Sequence, residues 1–348
     1  MRPTDVLKPL GVFVLVIAVI LAGTALVSTL SGSGSAASPD GEDIDGQSPG
    51  QFQPENVIAT SAPEDGEITL EEADESKQIL VDSGHGNQYS QSELAPLAEA
   101  LSQAGHEVDF TPDTGDSGGF GQSSYNATLR QYDAVLIIQP TTGFTDAEIA
   151  GLRAYAEGGG RIAVLGEPPQ LAVSGGLVAS VSEVRFGAQD LTDAFGLRMS
   201  TQGLYNIEDS ANDNNYESIV AGPAGDGALT EGVDNVTFDS AGYLVRTGDG
   251  PQISIRAVSG TETLERRQAG RYPVAARSGN MVMVADTSFL KSSELYDMDN
   301  ERLVSNVLQF LVSGDKEEGV PEGDSGAGGG FGGDGGGGGG PTTPTARP

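Results

Sequence analysis

Four side chains that could do chemistry follow predicted buried strands. Asp82 and His85 come at and just after the end of the first apolar run, and Glu167 and Asp286 end two later runs. Because the carboxyl ends of parallel strands border one crevice, we expect these side chains to converge there. Carboxylates and an imidazole could hold a divalent cation or a cationic ligand. The alternative is that the carboxylates cap loops or helix starts and that His85 hydrogen-bonds within its own turn.

No catalytic residue and no complete metal site is predicted. The chain has no cysteine and only two histidines, His85 and His106. The segment Asp82–Gly86 resembles the opening motif of zinc-dependent cell-wall amidases, but those enzymes need a second histidine and a ligating glutamate. His106 begins a predicted strand, and the sequence around Ser123 lacks the G-x-S-x-G spacing of a serine hydrolase. We therefore predict that the chain is not an enzyme and has no cofactor.

Short apolar runs alternate with amphipathic helices through the middle of the sequence. Such runs are typical of buried parallel strands, and the helices between them cover the faces of the sheet. The predicted fold class is α/β: a flavodoxin-like, mostly parallel sheet with helices on both faces. Residues 197–277 have little helical periodicity and are predicted to be a strand-rich insertion. Strands are predicted at 78–82, 106–110, 133–139, 161–167 and 279–286, and helices at 93–104, 145–157, 188–195 and 299–312.

The two ends of the chain differ from its middle in composition. Residues 9–30 contain no charged residue, and about 22 residues of helix span about 33 Å, enough to cross a membrane. Arg2 and Lys8 precede this transmembrane helix, so residues 1–8 are predicted to be cytoplasmic and the main domain extracellular. A signal peptide cleaved near residues 35–38 is the alternative. We predict a disordered acidic tether at 31–76, one α/β domain at 77–312 and a disordered glycine-rich tail at 313–348.

Charge is the strongest compositional signal. Fifty acidic residues against eighteen basic ones give a net charge of −32. Such a surface needs screening by salt, which is typical of halophilic proteins, although an ordinary acidic protein with solvated faces is the alternative. Nucleic acid is not an expected partner, because phosphate binding needs basic patches. Two N-glycosylation sequons, at Asn126 and Asn235, agree with a location outside the cell.

Three segments carry a family resemblance. They read ILVDSGHGNQYS, GFTDAEIAGLRAYAEGGGRIAVLGEP and MVMVADTSFLKSSELYDMDNERLVSNVLQFL. In this order they resemble an uncharacterised haloarchaeal family of membrane-anchored proteins whose domain is similar to the class I glutamine amidotransferase fold. Related domains occur in the auxiliary component of gliding-motility ABC transporters. The resemblance covers about residues 77–312 and includes the segments LTDAFGLRM and ALTEGVDNVTF.

The resemblance implies a fold and not a chemistry. Amidotransferases of this class use a cysteine nucleophile, and the chain has none. We therefore expect a non-catalytic, membrane-anchored, extracytoplasmic binding or assembly module, such as an accessory subunit of a transport or envelope system. Its expected partners are membrane lipid, through the N-terminal helix, and other membrane or envelope proteins. The alternative functions are a metal-dependent hydrolase or a small-ligand sensor that uses the crevice at the strand ends.

Overall fold

Sixteen strands and five α-helices are present in the computed structural model, which describes residues 64–110, 122–174 and 180–322. The helices are α1 (Ala95–Gln103), α2 (Gln122–Leu129), α3 (Asp146–Glu157), α4 (Gln189–Ala194) and α5 (Asn300–Val312). The strands are β1 (Gln78–Asp82), β2 (Glu107–Phe110), β3 (Ala134–Ile138), β4 (Arg161–Leu165), β5 (Gln170–Ser174), β6 (Ser180–Val184), β7 (Leu197–Met199), β8 (Leu204–Tyr205), β9 (Ser218–Pro223), β10 (Val236–Asp239), β11 (Leu244–Arg246), β12 (Gln252–Ala257), β13 (Thr261–Thr263), β14 (Ala269–Gly270), β15 (Pro273–Ser278) and β16 (Met281–Val284).

Nine of these strands form one mixed sheet in the order β10-β9-β12-β15-β16-β4-β3-β1-β2. The five strands from β16 to β2 are parallel to their neighbours, whereas the pairs from β16 to β10 are antiparallel. The fold is therefore mixed α/β with a large sheet. The region predicted as an insertion, 197–277, supplies β9, β10 and β12 and most of β15, so it extends the main sheet as well as forming small sheets beside it.

Helices cover both faces of the parallel half, as the alternation of apolar runs and helices predicts. Successive residues of β1 point to opposite faces, so Ile79 and Leu80 belong to different core clusters. One cluster contains buried side chains of α1 and α5, and the other contains those of α2, α3 and α4. The strands of this half, buried on both faces, read as continuous apolar runs for that reason.

Helix α3 carries the clearest local signal in the sequence. Thr145 lies at its N-cap and accepts a hydrogen bond from the backbone N–H of Glu148, whose side chain bonds back to the N-cap backbone. This capping box satisfies amide donors that the first turn of a helix leaves free. The helix ends at Gly158, and Gly159 adopts a left-handed conformation (φ +93°) that glycine tolerates best.

The packed part of the chain extends beyond residues 77–312 at both ends. The backbone N–H of Thr69 donates to Ser305 Oγ at 3.0 Å, and Ile68 and Leu70 pack against the core. After α5, the N–H of Glu317 donates to the carbonyl of Gly158 at 2.7 Å. Residues 64–76 and 313–322, which composition predicts to be tether and tail, therefore lie on the domain, because a few apolar side chains and backbone bonds fix them.

The predicted membrane anchor lies outside the described residues. Within residues 64–110, 122–174 and 180–322, no helix is both long and apolar enough to cross a membrane. The cytoplasmic N-terminus (1–8), the transmembrane helix (9–30), the first part of the tether and the tail beyond residue 322 all fall outside these ranges.

Candidate functional site

Asp82 and His85 form one buried cluster together with Glu148, which sequence reasoning did not select. His85 Nδ1 lies 2.7 Å from Asp82 Oδ2, and its Nε2 lies 3.7 Å from Glu148 Oε2. All three side chains are buried. The imidazole also stacks on the ring of Phe144 at a centroid distance of 3.7 Å and meets the edge of Tyr125. We call Asp82, His85 and Glu148 the His85 cluster.

The charge state of this cluster follows from its contacts. Burial lowers the pKa of His85, but the hydrogen bonds and charges of Asp82 and Glu148 outweigh it and raise that pKa to about 9. Burial raises the pKa of Glu148, but its bonds to His85 and Thr145 leave that pKa lowered. At neutral pH the cluster is therefore an imidazolium held between buried carboxylates. Such an imidazole cannot accept a proton as a general base.

Local structure explains how the three residues of the His85 cluster meet. Asp82 ends β1, and its Oδ1 accepts the backbone N–H of Gly84 at 2.9 Å, which shapes the turn that carries His85. Gly86 follows with φ +72°, a conformation that favours glycine. Glu148 arrives from the first turn of α3, where the capping box already accounts for its presence. Its second contact, to His85, depends on where α3 packs against the sheet and has no signal in the sequence.

Glu167 and Asp286 form a second polar group, next to Thr287. The backbone N–H of Glu167 donates to Gln139 Oε1 at 2.7 Å, and its carboxylate accepts hydrogen bonds from Thr287 Oγ1 and Gln170 Nε2. Asp286 is fully buried, and its Oδ1 accepts from Ser288 Oγ at 2.7 Å. Burial, followed by the charge of Glu167, raises the pKa of Asp286 well above its usual range, which favours the neutral acid.

A cleft of about 340 Å³ opens at the carboxyl edge of the parallel strands, where the sequence predicts a crevice. We call it the strand-end cleft. Of the four predicted site residues, Glu167 lines it, whereas Asp82, His85 and Asp286 do not. The hydroxyl of Tyr89, at its wall, donates to the carbonyl of Thr287 at 2.7 Å. The lining residues are Gln88, Tyr89, Glu93, Gln139, Glu167, Gln170, Leu171, Val184, Thr287 and Lys291.

The structure thus brings the four predicted residues together as two pairs and not as one site. No three His, Asp or Glu side chains in the described ranges are arranged to hold one metal ion. His106 lies elsewhere, before β2 at the amino edge of the parallel strands, where its Nδ1 accepts the backbone N–H of Lys77 at 3.1 Å.

The two glycosylation sequons differ in accessibility. Asn126 is buried between α2 and α3, where its Nδ2 donates to the carbonyl of Ala147, so a glycan could not be accommodated in the folded domain. Asn235 is exposed just before β10. Only Asn235 is therefore open to a modifying enzyme after folding.

Comparisons with known proteins give the fold and a family. The N-terminal domain of mmIFT52 aligns with a TM-score of 0.52 at 14% identity, over 69% of this chain and 99% of that one. ThuA-like proteins align with a TM-score of 0.40 at 13% identity: one from Bacteroides uniformis over 75% of this chain and 99% of its own, and one from Parabacteroides merdae over 71% and 94%. At this identity the first likeness indicates the fold alone.

No curated protein matches the sequence. A family model described as "Domain of unknown function (DUF4350)" matches residues 94–308, which is more than half of the chain. The chain therefore belongs to the DUF4350 family.

Proposed function

We propose that this chain is a non-catalytic binding module that takes a small, hydroxyl-rich molecule in the strand-end cleft. Residues 9–30 anchor it in the cell membrane, with the N-terminus cytoplasmic and the main domain outside, where it works with other membrane or envelope proteins. The observation that carries the proposal is the mixed polar lining of a cleft at the carboxyl edge of the sheet.

The lining matches a neutral ligand with many hydroxyl groups. Glu93 and Glu167 supply carboxylate acceptors, Lys291 supplies a cationic donor, and three glutamines offer amides that both donate and accept. A hydroxyl group also both donates and accepts, so each hydroxyl of such a ligand can form a hydrogen bond with any of these side chains. The ring of Tyr89 and the side chain of Leu171, which is 75% exposed, add apolar surface for carbon–hydrogen faces.

The state of both histidines supports a binding role over a catalytic one. His85 is a buried imidazolium held by Asp82 and Glu148, outside the strand-end cleft. His106 lies at the opposite, amino edge of the parallel strands and accepts a backbone hydrogen bond. The chain has no cysteine and both histidines lie outside the strand-end cleft, so the described cleft contains neither a thiol nor an imidazole.

The ligand site is tested by titrating the full-length chain, in detergent and molar potassium chloride, with glucose, maltose and glycerol. Thermal unfolding and calorimetry should detect saturable binding of at least one probe, weakened about tenfold or more in Gln88→Ala and Lys291→Ala. Both side chains are exposed in the cleft, so these variants should fold. Gln131→Ala, an exposed glutamine after α2, is the control. Binding of none of the probes, or equal binding by all variants, would contradict the proposal.

The anchored location is tested separately in cells. The full chain should sediment with membranes and resist extraction by alkaline carbonate, and external protease should degrade its main domain in intact cells. A variant lacking residues 9–30 should be lost from the membrane fraction. Recovery of the intact chain in the soluble fraction, or protection from external protease, would refute the proposed topology. Crosslinking before solubilisation, followed by purification at high salt, identifies membrane partners; recovery of the chain alone would count against the assembly role.

A further inference from the structure

The strand-end cleft lies where the order of the parallel strands reverses. β1 has β2 on one side and β3, followed by β4, on the other, so the chain leaves β1 and β3 in opposite directions. In open sheets of this type, ligands bind where the order reverses, outside the carboxyl ends of the strands. Tyr89 follows β1, Gln139 follows β3 and Glu167 follows β4, and all three line the cleft. The ends of three neighbouring strands therefore contribute to one ligand site.

Gln139 has an unusual backbone conformation at this place. Its φ is +41°, in the left-handed region, where residues other than glycine are uncommon. Pro140 comes next, and a residue before proline normally adopts an extended conformation. Such conformations are costly and cluster at active sites and ligand sites, where the surrounding structure holds them. The strain at Gln139 therefore points to a role for its side chain in the cleft.

The side-chain amide of Gln139 is fixed in one orientation. The residue is only 4% exposed, and its Oε1 accepts the backbone N–H of Glu167 at 2.7 Å. Since an N–H needs an acceptor, the oxygen of the amide must face Glu167, and the Nε2 amino group must lie on the other side. Nε2 forms no hydrogen bond within the described ranges and is not sealed in the interior. The fold therefore presents to the cleft a fixed donor that lacks an acceptor.

The carboxylate of Glu167 has the opposite requirement. Each of its oxygens accepts one hydrogen bond from the protein, Oε1 from Thr287 and Oε2 from Gln170. A carboxylate oxygen has two lone pairs, so each oxygen can accept a further bond. Gln139 and Glu167 follow adjacent strands, and adjacent strands lie about 4.8 Å apart. A ligand that satisfies both residues must accept a hydrogen bond at one position and donate one at the neighbouring position.

We propose that the strand-end cleft selects a vicinal diol, that is, two hydroxyl groups on neighbouring carbon atoms, and that Gln139 determines this specificity. One hydroxyl accepts from Gln139 Nε2, and its neighbour donates to the carboxylate of Glu167. Each hydroxyl then bonds in the sense that the protein group requires. Hydroxyls on carbon atoms further apart cannot reach both groups at once. This inference rests on the proposed function, which it narrows from hydroxyl-rich molecules in general to those with adjacent hydroxyl groups.

Two cyclohexanetriols test this selection, because they differ only in the spacing of their hydroxyl groups. Cyclohexane-1,2,3-triol has neighbouring hydroxyls, and cyclohexane-1,3,5-triol has none. The full-length chain in detergent and molar potassium chloride is titrated with each triol in a calorimeter, alongside glucose, maltose and glycerol. We expect the parent to bind the 1,2,3-triol about tenfold or more tightly than the 1,3,5-triol, because only the first satisfies both polar groups.

Two variants ask whether Gln139 causes the preference. Gln139→Asn withdraws the amide from the cleft by one carbon atom, and it should fold because asparagine tolerates the left-handed conformation. Gln139→Met removes both polar atoms at similar length. Each should bind the 1,2,3-triol about tenfold more weakly and so lose the preference between the triols. Gln131→Asn, at an exposed glutamine after α2, is the matched control and should keep it. Far-ultraviolet circular dichroism checks that all variants are folded.

The outcomes separate this inference from the proposed function. Equal binding of the two triols by the parent, or a preference that persists in both Gln139 variants, would overturn the diol specificity even if the cleft binds hydroxyl-rich ligands. So would the absence of triol binding in a parent that binds glucose, maltose or glycerol. If the parent binds none of these compounds, the proposed function fails and the diol specificity fails with it.

Discussion

The His85 cluster and the strand-end cleft hold their carboxylates in different ways. In the His85 cluster, two buried carboxylates flank an imidazolium that the chain itself provides, with Nδ1 at 2.7 Å from Asp82. In the strand-end cleft, Glu167 accepts hydrogen bonds from Thr287 and Gln170 and still borders open space. The first site is complete within the fold, whereas the second has room for a ligand.

The difference indicates which polar residues stabilise the fold and which remain accessible to a ligand. His85 looks reactive in the sequence, but both of its ring nitrogens are held by buried carboxylates in the folded domain. Glu167 follows an apolar run in the same way but lines the strand-end cleft.

The largest expected effect comes from breaking the complete cluster. His85→Ala leaves Asp82 and Glu148 buried without their cation, and should lower the free energy of unfolding by about 3–5 kcal/mol. Urea denaturation in constant molar salt measures this. His106→Ala is the control, because that histidine is equally buried but bonds only a backbone amide, so we expect a loss of about 1 kcal/mol. Equal losses in the two variants would show that the ion pairs of His85 contribute nothing special.

The same cluster predicts a pH dependence. The pKa of His85 is about 9 in the folded protein, against about 6.5 in the unfolded chain, so its protonation stabilises the fold. This contribution is fully present below pH 6.5 and is lost as pH rises through 9. Its size is about 3 kcal/mol by linkage. Urea midpoints at pH 6, 7.5 and 9 should fall in the parent and lose this part of the slope in His85→Ala. Parallel slopes in both proteins would contradict the assignment.

The smallest expected effect on the free energy of unfolding is that of Tyr125→Phe, which removes a hydrogen bond from the His85 cluster but no charge. The hydroxyl of Tyr125 donates to Asp82 Oδ2 at 3.4 Å, a long bond. Tyr125→Phe should therefore lower the free energy of unfolding by only about 0.5–1.5 kcal/mol in the same urea assay. A loss as large as that of His85→Ala would mean that the hydroxyl, and not the imidazolium, satisfies Asp82.

The parallel half of the sheet could be predicted from the sequence because its signals are local. The runs around Leu80, Val135, Val164 and Val282 are apolar throughout, since both faces of these strands are buried. Helix α3 was equally clear from Thr145 at its N-cap. The antiparallel half was harder, because short strands with small or polar residues, such as β12, have no distinctive period. Their place in the main sheet is set by long-range pairing.

Helix α1 and the chain ends show how tertiary contacts override composition. The sequence predicts a helix from residue 93, but α1 begins at Ala95, without a side-chain cap, and the hydroxyl of Ser90 donates to the carboxylate of Glu93 before it. Residues 64–76 are acidic enough to suggest a tether, yet Ile68 and Leu70 bury apolar surface against the core. Neither outcome can be deduced from local propensity alone.

The candidate sites depend almost wholly on such contacts. The carboxyl edge of the sheet, and the place of Glu167 there, could be predicted because the end of an apolar run marks the end of a buried strand. The sequence could not separate Asp82 and His85 from the cleft, since that depends on which way the turn at Gly86 packs. Glu148 was missed because it lies in the first turn of a helix, where an acidic residue is ordinary.

The protonation state of His85 tests most directly whether the His85 cluster is a structural ion pair or holds a catalytic base. The chain has two histidines, so imidazole resonances in a nitrogen-correlated NMR titration can be assigned with His106→Ala alone. We expect one imidazole to stay doubly protonated above pH 8 and to titrate near 9, and the other, whose pKa burial lowers, to be neutral at pH 7. A neutral His85 at pH 7 that exchanges freely with water would contradict the buried ion pair with Asp82 and Glu148, because the ring would then be available as a base.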